Sequence, residues 1–364
     1  MPWKTVTMIA LLLILTCACT DPKVDVSPRA ETEADHVLLV VNSSSEDSVL
    51  IGSYYREKRS IPKENVVILS CSSADNIPNS DYSKSIEGPI RTATKASKHR
   101  IDYIVLTKGV PLRINDDGGY SVDAFLGAMN LSIKPIDGPK EEAVKRSLNP
   151  YFQHDEPFDS QKFGGLFLVT RLDGPTVEDA KRLVDNSLAA KPEKGPFFFD
   201  QAGNRNGGGY EVLNKALGAA DEELRKRGFQ AALEATDAFV APDEKLMGYC
   251  SWGSNDGKFD DTTYKKLKFK PGAIAETFVS TSGRTFSHAT SGQSQITDLI
   301  AQGVTGVKGY VSEPYTFALA RPEILFDRYT KGYNLAESFY MASLVVKWKD
   351  VVVGDPLCRP YRAK

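Results

Sequence analysis

Short, nearly unbroken apolar runs recur along the chain, each closing on a polar residue or glycine. His36-Val-Leu-Leu-Val-Val-Asn42, Val66-Val-Ile-Leu69 and Tyr103-Ile-Val-Leu106 are the first three. Runs without alternation predict strands buried on both faces. Amphipathic stretches lie between them. Ser45-Glu-Asp47 opens one whose apolar positions are Val49, Ile51, Tyr54 and Tyr55, and Ile61-Pro62 closes it. Another covers residues 82–97. Strand and helix alternating in this way predict a parallel α/β sheet.

After Lys108-Gly-Val-Pro-Leu-Arg-Ile114 a helix is expected around Ser121, Val122 and Asp123. Residues 132–164 are rich in Pro, Lys, Asp and Gly and read as an irregular excursion. Leu166-Phe-Leu-Val169 is a further strand. Its continuation, Thr170-Arg171-Leu-Asp173-Gly-Pro, turns into a helix with a capping box from Thr176 to Asp179. Val177, Ala180, Val184 and Leu188 are the apolar face expected there. Lys191-Pro-Glu-Lys-Gly-Pro196 is charged, carries two prolines and divides the chain. It separates an N-terminal α/β subdomain, 36–192, from a C-terminal one, 193–364.

Phe197-Phe-Phe199 starts a second alternation. A loop from Gly203 to Gly209 feeds a helix with Leu213, Leu217 and Leu224 on one face. Strands are expected near 230–234, 246–251, 273–279 and 304–309, and helices near 293–302, 320–331 and 335–346. No internal sequence repeat is visible.

Composition is that of an ordinary globular protein, and the net charge of -2 over 364 residues leaves no basic stripe for nucleic acid. The N-terminus reads as a targeting segment over 1–19. Lys4 precedes the apolar run from Met8 to Leu15, which is too short to span a bilayer and ends at small residues. Thr16-Cys17-Ala18-Cys19 resembles a bacterial lipoprotein box, with Cys19 the lipidated residue and Cys17 the alternative acceptor. Polar residues 20–35 then form a tether. This implies export across the inner membrane and a lipid anchor in the envelope, with the outer membrane as destination. The remaining cysteines, Cys71, Cys250 and Cys358, are an odd, widely spaced set and no disulfide framework; three buried free thiols are expected, with a single bridge as the alternative.

Two strand ends in the second half carry the candidate chemistry. They are Leu246-Met-Gly-Tyr-Cys-Ser-Trp252-Gly-Ser254, and Gly272 through Ser280-Thr-Ser-Gly283-Arg-Thr-Phe286. In each, an apolar run breaks into small polar residues, as at a crevice outside the carboxyl ends of parallel strands. The pair resembles the B subdomain of the gingipain-like, caspase-like cysteine peptidases. Tyr103-Ile-Val-Leu106, Ser121-Val-Asp123, Leu168-Val-Thr-Arg171 and Val353-Gly-Asp-Pro-Leu357 resemble further blocks of that family, in the same order. The resemblance implies two subdomains with mainly parallel sheets flanked by helices. It puts Trp252 at the catalytic His position and Ser280 at the catalytic Cys position, so the thiolate–imidazole dyad is missing. Longer blocks resemble an uncharacterised bacterial family found in species with exosortase-type sorting. They are Lys108-Gly-Val-Pro-Leu-Arg113, the run from Val169 to Ala180, Glu313-Pro-Tyr315 and the run from Val351 to Leu357. That family brings no established activity.

The remaining chemistry is read against its structural alternative. Cys250, mid-strand beside Tyr249, reads as a buried small hydrophobe. A serine hydrolase would use Ser280 or Ser282 with His288 as base and Glu276 or Asp256 to orient it. The alternative is that Ser280, Thr281 and Ser282 simply turn the strand end. His36, His99, His154 and His288 share no ligand spacing, and no metal or cofactor is expected. The Gly203–Gly209 loop could present amides to an anion, or serve as a crevice rim. Arg113, Arg171 and Arg284 could grip a carboxylate, or close ion pairs with Asp123, Asp173 or Asp355. The residues assigned to the crevice are Trp252, Ser254, Asn255, Ser280, Thr281, Arg284, Arg171, Asp173 and Asp123. The expected role is binding a peptide or protein at the envelope without cysteine-peptidase activity. The rivals are a serine hydrolase and a structural envelope component.

Overall fold

The computed structural model describes residues 1–2, 31–115, 119–287, 289 and 291–362. Cys17, Cys19, most of the tether and His288 lie outside the described residues. Thr32–Lys364 is one compact unit.

The strands, in chain order, are β1 (Val37–Asn42), β2 (Val66–Leu69), β3 (Asn76–Ile77), β4 (Tyr103–Thr107), β5 (Arg113–Ile114), β6 (Tyr120–Ser121), β7 (Leu168–Leu172), β8 (Phe197–Asp200), β9 (Ala231–Glu234), β10 (Leu246–Ser251), β11 (Phe269–Thr277), β12 (Gly306–Tyr310) and β13 (Asp350–Gly354). β3, β5 and β6 make a small separate sheet, and the other ten make one sheet in the order β2-β1-β4-β7-β13-β12-β11-β10-β8-β9. Every residue of β1, β4, β7, β8, β10 and β12 is buried. Continuous apolar runs suit strands covered by helices on both faces. β13 runs antiparallel to β12.

The two halves are wound alike. β1 takes β2 on its outer side, and the chain then returns to the inner side for β4 and β7. β8 takes β9 outside and β10, β11 and β12 inside. Strand order therefore reverses twice, between β1 and β4 and between β8 and β10. These switch points are where an open α/β sheet leaves a crevice.

The α/β class with mainly parallel strands is as expected, but the halves do not keep separate cores. β13, from the end of the chain, lies between β7 and β12 and meets β7 through Val353 and Arg171. One hydrophobic core runs from Val37 and Tyr55 through Phe197 and Trp252 to Val353. Residues 191–196 link two half-sheets across it.

Helix faces differ from expectation in detail. Helix Val177–Ala189 buries Ala180, Leu183, Val184 and Ser187, a stripe of three- and four-residue steps, and leaves Leu188 45% exposed. Helix Glu46–Arg59 buries Ile51 and Tyr55 and exposes Val49. The excursion at 132–164 contains a short helix, Glu141–Lys145, and packs Ile136 and Ala143 with Val345 and Trp348. Cys250 and Cys358 are buried free thiols, whereas Cys71 is only half-buried.

Candidate functional site

β10 and β11 pair in parallel, with Ser251 opposite Thr277. This register sets the next residues, Trp252 and Phe278, side by side, and their rings meet edge to face with centroids 5.0 Å apart. Beyond Trp252 the backbone turns at once. Gly253 has φ +48° in a short 3₁₀ turn, and a side chain there would lie 2.8 Å from Val279 Cγ2. The indole is 1% exposed, and its Nε1 donates to Asn214 Oδ1 at 2.6 Å. Tyr210 packs against its edge at 5.7 Å, and the Arg205 guanidinium stands 5.6 Å from the ring.

This constellation walls a cavity of about 380 Å³ at the β8/β10 switch point. Trp252, Asn255, Phe278 and Ser280 line one part of it, Arg205, Gly209 and Tyr210 another, and Glu313 through Phe317 a third. Tyr210 and Tyr315, at 42% and 40%, are the only aromatic side chains among the large exposed hydrophobics of the described residues, and both line this cavity. Exposed aromatics gathered on one concavity mark a contact surface.

Trp252, Asn255 and Ser280 thus meet at one cavity. The Ser280 hydroxyl makes no hydrogen bond to a described residue and is partly exposed. Ser282, the other candidate nucleophile, is fully buried, and its hydroxyl has no partner among the described residues. Both proposed orienting acids have other partners. Glu276 is buried in β11, accepts from Tyr310 Oη at 2.8 Å, and is pushed up to about 8 by burial. Asp256 accepts from the Lys258 amide at 2.7 Å. Cys250 is fully buried, with its thiol pushed up by burial.

Other expected crevice residues brace loops. Ser254 and Ser294 exchange amide-to-hydroxyl bonds of 3.1 and 2.9 Å. The Thr281 hydroxyl donates to Gln293 Oε1 at 2.8 Å. Arg284 donates to the carbonyls of Thr281, Gln293 and Ser291, and its own carbonyl accepts from Arg113 at 2.7 Å. It pairs with no carboxylate of a described residue.

Arg171, Asp173 and Asp123 belong elsewhere. Arg171 is 1% exposed within β7, because Asp123 and the carbonyls of Val110 and Pro111 satisfy its guanidinium. Asp173 receives Lys108 at 3.3 Å and the Gly174 amide at 2.8 Å. Arg171 and Asp173 line a second cavity, of about 260 Å³, with Ser45, Asp75, Lys108 and Phe286. It occupies the β1/β4 switch point. Sequence reasoning merged two crevices into one because both sets stand at strand ends.

Tyr210 and Tyr315 were missed. Tyr210 sits just after the glycine loop and Tyr315 within Glu313-Pro-Tyr315, but an isolated Tyr carries no periodic signal. Among the described residues, no group of three or more His, Cys, Asp or Glu side chains is placed to hold a metal, and no helix is long and apolar enough to cross a membrane.

No protein-family model matches the chain, and no curated protein matches it. Among solved structures it is similar to one described as "Structure of Protease", with a TM-score of 0.52 and 10% identity over 92% of this chain and 80% of that one. A second likeness, to the Saccharomyces cerevisiae separase–securin complex, has a TM-score of 0.36 and 9% identity over 52% of this chain and 14% of that one. The first likeness establishes the fold, a caspase-like α/β arrangement, and at this identity nothing beyond it.

Proposed function

We propose that this protein binds a peptide segment of an envelope protein at the Trp252 cavity and carries out no cysteine-peptidase chemistry. The observation that supports the reading is the indole of Trp252, which the sequence resemblance sets at the catalytic His position and which is tied to Asn214. An indole N–H only donates and cannot shuttle a proton at neutral pH. What it supplies is an apolar wall, which Tyr210, Phe278 and Tyr315 extend. The cavity's volume falls in the range of ligand pockets, roughly 300–1,000 Å³. The N-terminal signal supports an envelope location, with lipid on Cys19 and residues 20–35 as tether.

The unbonded Ser280 hydroxyl in the cavity favours one second reading, a hydrolase using Ser280. One experiment separates the two. The purified full-length chain is titrated with a mixed peptide library, followed by calorimetry for binding and mass spectrometry for cleavage. A fluorophosphonate probe is applied in parallel. Binding without cleavage or labelling is the expected result. Labelling that disappears in Ser280→Ala would replace the binding reading with the hydrolase. Absence of any bound peptide would remove the binding reading.

A further inference from the structure

We infer that Asp200 is a proton-dependent latch on the Trp252 cavity: while protonated it lets two wall loops stay closed, and its ionisation drives them apart. As regulation of a binding cavity this rests on the reading above, but the latch itself is tested without a ligand.

Asp200 ends β8, with Ser251 of β10 opposite it on one side and Glu234 of β9 on the other. It shares a sheet face with Phe198, whose ring stacks on Tyr249 with centroids 6.4 Å apart. Asp200 is 1% exposed, and its carboxyl has only a weak contact to the Val240 backbone among the described residues. A neutral acid bears such burial at modest cost, whereas a carboxylate does not. The charged groups facing it have the same sign. Glu234 stands beside it on β9, Asp256 comes from the loop after β10, and Asp237 of the β9–β10 loop adds its charge to Asp256. Burial keeps the Tyr249 phenol protonated. The nearby cations, Arg205 and Lys258, offset Asp256. Burial, with Asp256 and Glu234 beside it, pushes Asp200 up to about 8.

These acids adjoin the cavity wall. The loop after β8 carries Arg205 and the loop after β10 carries Asn255, and both residues line the cavity. Three hydrogen bonds tie the two loops together. Arg205 Nε and Asn204 Nδ2 donate to the Asn255 carbonyl at 2.7 and 3.3 Å, and the Gly257 amide donates to Asn204 Oδ1 at 3.1 Å. Asp200 immediately precedes the first loop, and Asp256 sits between Asn255 and Gly257 in the second. Asp237 closes in from the side, since a Cβ at Gly203 would fall 2.2 Å from its Oδ1. A negative charge on Asp200, beside Asp256, acts directly on the contact between the loops.

With the loops closed, Asp200 keeps its proton up to about pH 8. With the loops apart and the carboxyl in water, it releases the proton at about pH 4. Between those values each pH unit favours the open arrangement by up to about tenfold, and above 8 the gain stops. The cavity is closed most firmly in acid and loosens as pH rises toward 8.

Hydrogen exchange of the full-length chain at pH 5, 6, 7 and 8 tests this, with each rate divided by the intrinsic rate at that pH. The reporters are the amides of Arg205, Asn255 and Asp256, bonded to the carbonyls of Ala202, Trp252 and Gly253, and the amide of Gly257. Their protection is expected to fall by up to about tenfold per pH unit, while the amides of β1 stay protected. Asp200→Asn, which stands in for the protonated acid, should make loop protection independent of pH. Glu234→Gln is a second variant. It keeps the oxygen that accepts from the Thr236 amide but removes one like charge, and should shrink the total fall between pH 5 and 8. Loop protection that does not change with pH in the unaltered protein would overturn the latch. So would an equal fall in Asp200→Asn, or in Glu234→Gln. A fall shared by β1 would overturn local opening in favour of global unfolding. The library titration decides separately whether the cavity binds peptides, and its failure would leave these exchange rates unchanged.

Discussion

Trp252 and Asn214 close the candidate site from opposite sides of the β8/β10 switch point. The indole Nε1 donates to Asn214 Oδ1 at 2.6 Å, and Asn214 Nδ2 donates to the carbonyls of Ala202 and Arg205 at 3.1 and 3.2 Å. One buried amide thus ties the end of β10 to the loop that carries Arg205. The indole is thereby held as a fixed wall of the cavity.

Asn214→Ala should therefore lose stability and binding together. It leaves the indole N–H and two loop carbonyls without their partner, at a cost of about 1–3 kcal/mol. Urea unfolding followed by Trp fluorescence reads the loss. Peptide affinity should fall too, because Arg205 would no longer be held in place. Unchanged affinity in a destabilised variant would show that the loop positions itself without Asn214.

The second switch point makes a contrasting prediction. Arg171 and Asp123 are 1% and 2% exposed and pair through Asp123 Oδ1 at 2.5 Å. Removing Asp123 leaves the buried guanidinium with only the longer 3.5 Å contact to Asp173 as a charged partner. Asp123→Asn should cost about 3–5 kcal/mol, while replacing both, as Arg171→Met with Asp123→Leu, should cost much less than the sum of the single changes. A double-mutant cycle in urea checks this. Additive losses would mean that the pair is not coupled.

Much of the sheet was legible because its strands are buried on both faces and so write themselves as unbroken apolar runs. β1, β4 and β10 fall where Val37–Val41, Tyr103–Leu106 and Leu246–Ser251 place them. The single core was not legible, because it depends on β13 lying beside β7, a pairing between residues far apart in sequence. The repeated winding of the halves was likewise hidden, since strand order leaves no mark on composition. At the site, Trp252 and Ser280 could be placed together from their strand ends. Arg171 and Asp173 could not be separated from them, since both switch points end strands in the same small polar residues. Tyr315 comes to the cavity through tertiary packing alone.

The thiols should be inert in the native protein. Cys250 and Cys358 are fully buried, and burial raises all three thiols, Cys71 to about 11. Reactivity follows the thiolate, so little is present at pH 8. Iodoacetamide should modify Cys71 slowly and leave Cys250 and Cys358 untouched until urea unfolds the chain, as read by peptide mapping. Peptide binding should survive alkylation. Rapid native labelling of Cys250 would contradict its placement inside β10 and reopen a thiol mechanism.

Stability should fall as pH rises from about 5 to 9. Asp200, at the end of β8, is 1% exposed, and its carboxylate has only a weak contact to the Val240 backbone among the described residues. Burial, reinforced by Asp256 and Glu234, pushes it up to about 8, and burial does the same to Glu276, against the opposing pull of Lys308 and Tyr310. Both groups hold a proton in the folded state that the unfolded chain releases near pH 4. Their contribution is therefore fully present below about pH 4 and is lost as pH climbs through 8. Asp200→Asn and Glu276→Gln, which stay neutral, should each flatten the dependence and raise stability at pH 9 by about 1–3 kcal/mol. Urea midpoints between pH 5 and 9 give the answer. If the profile of Asp200→Asn parallels that of the unaltered protein, the Asp200 carboxyl has found a partner or water and the assignment of its proton fails.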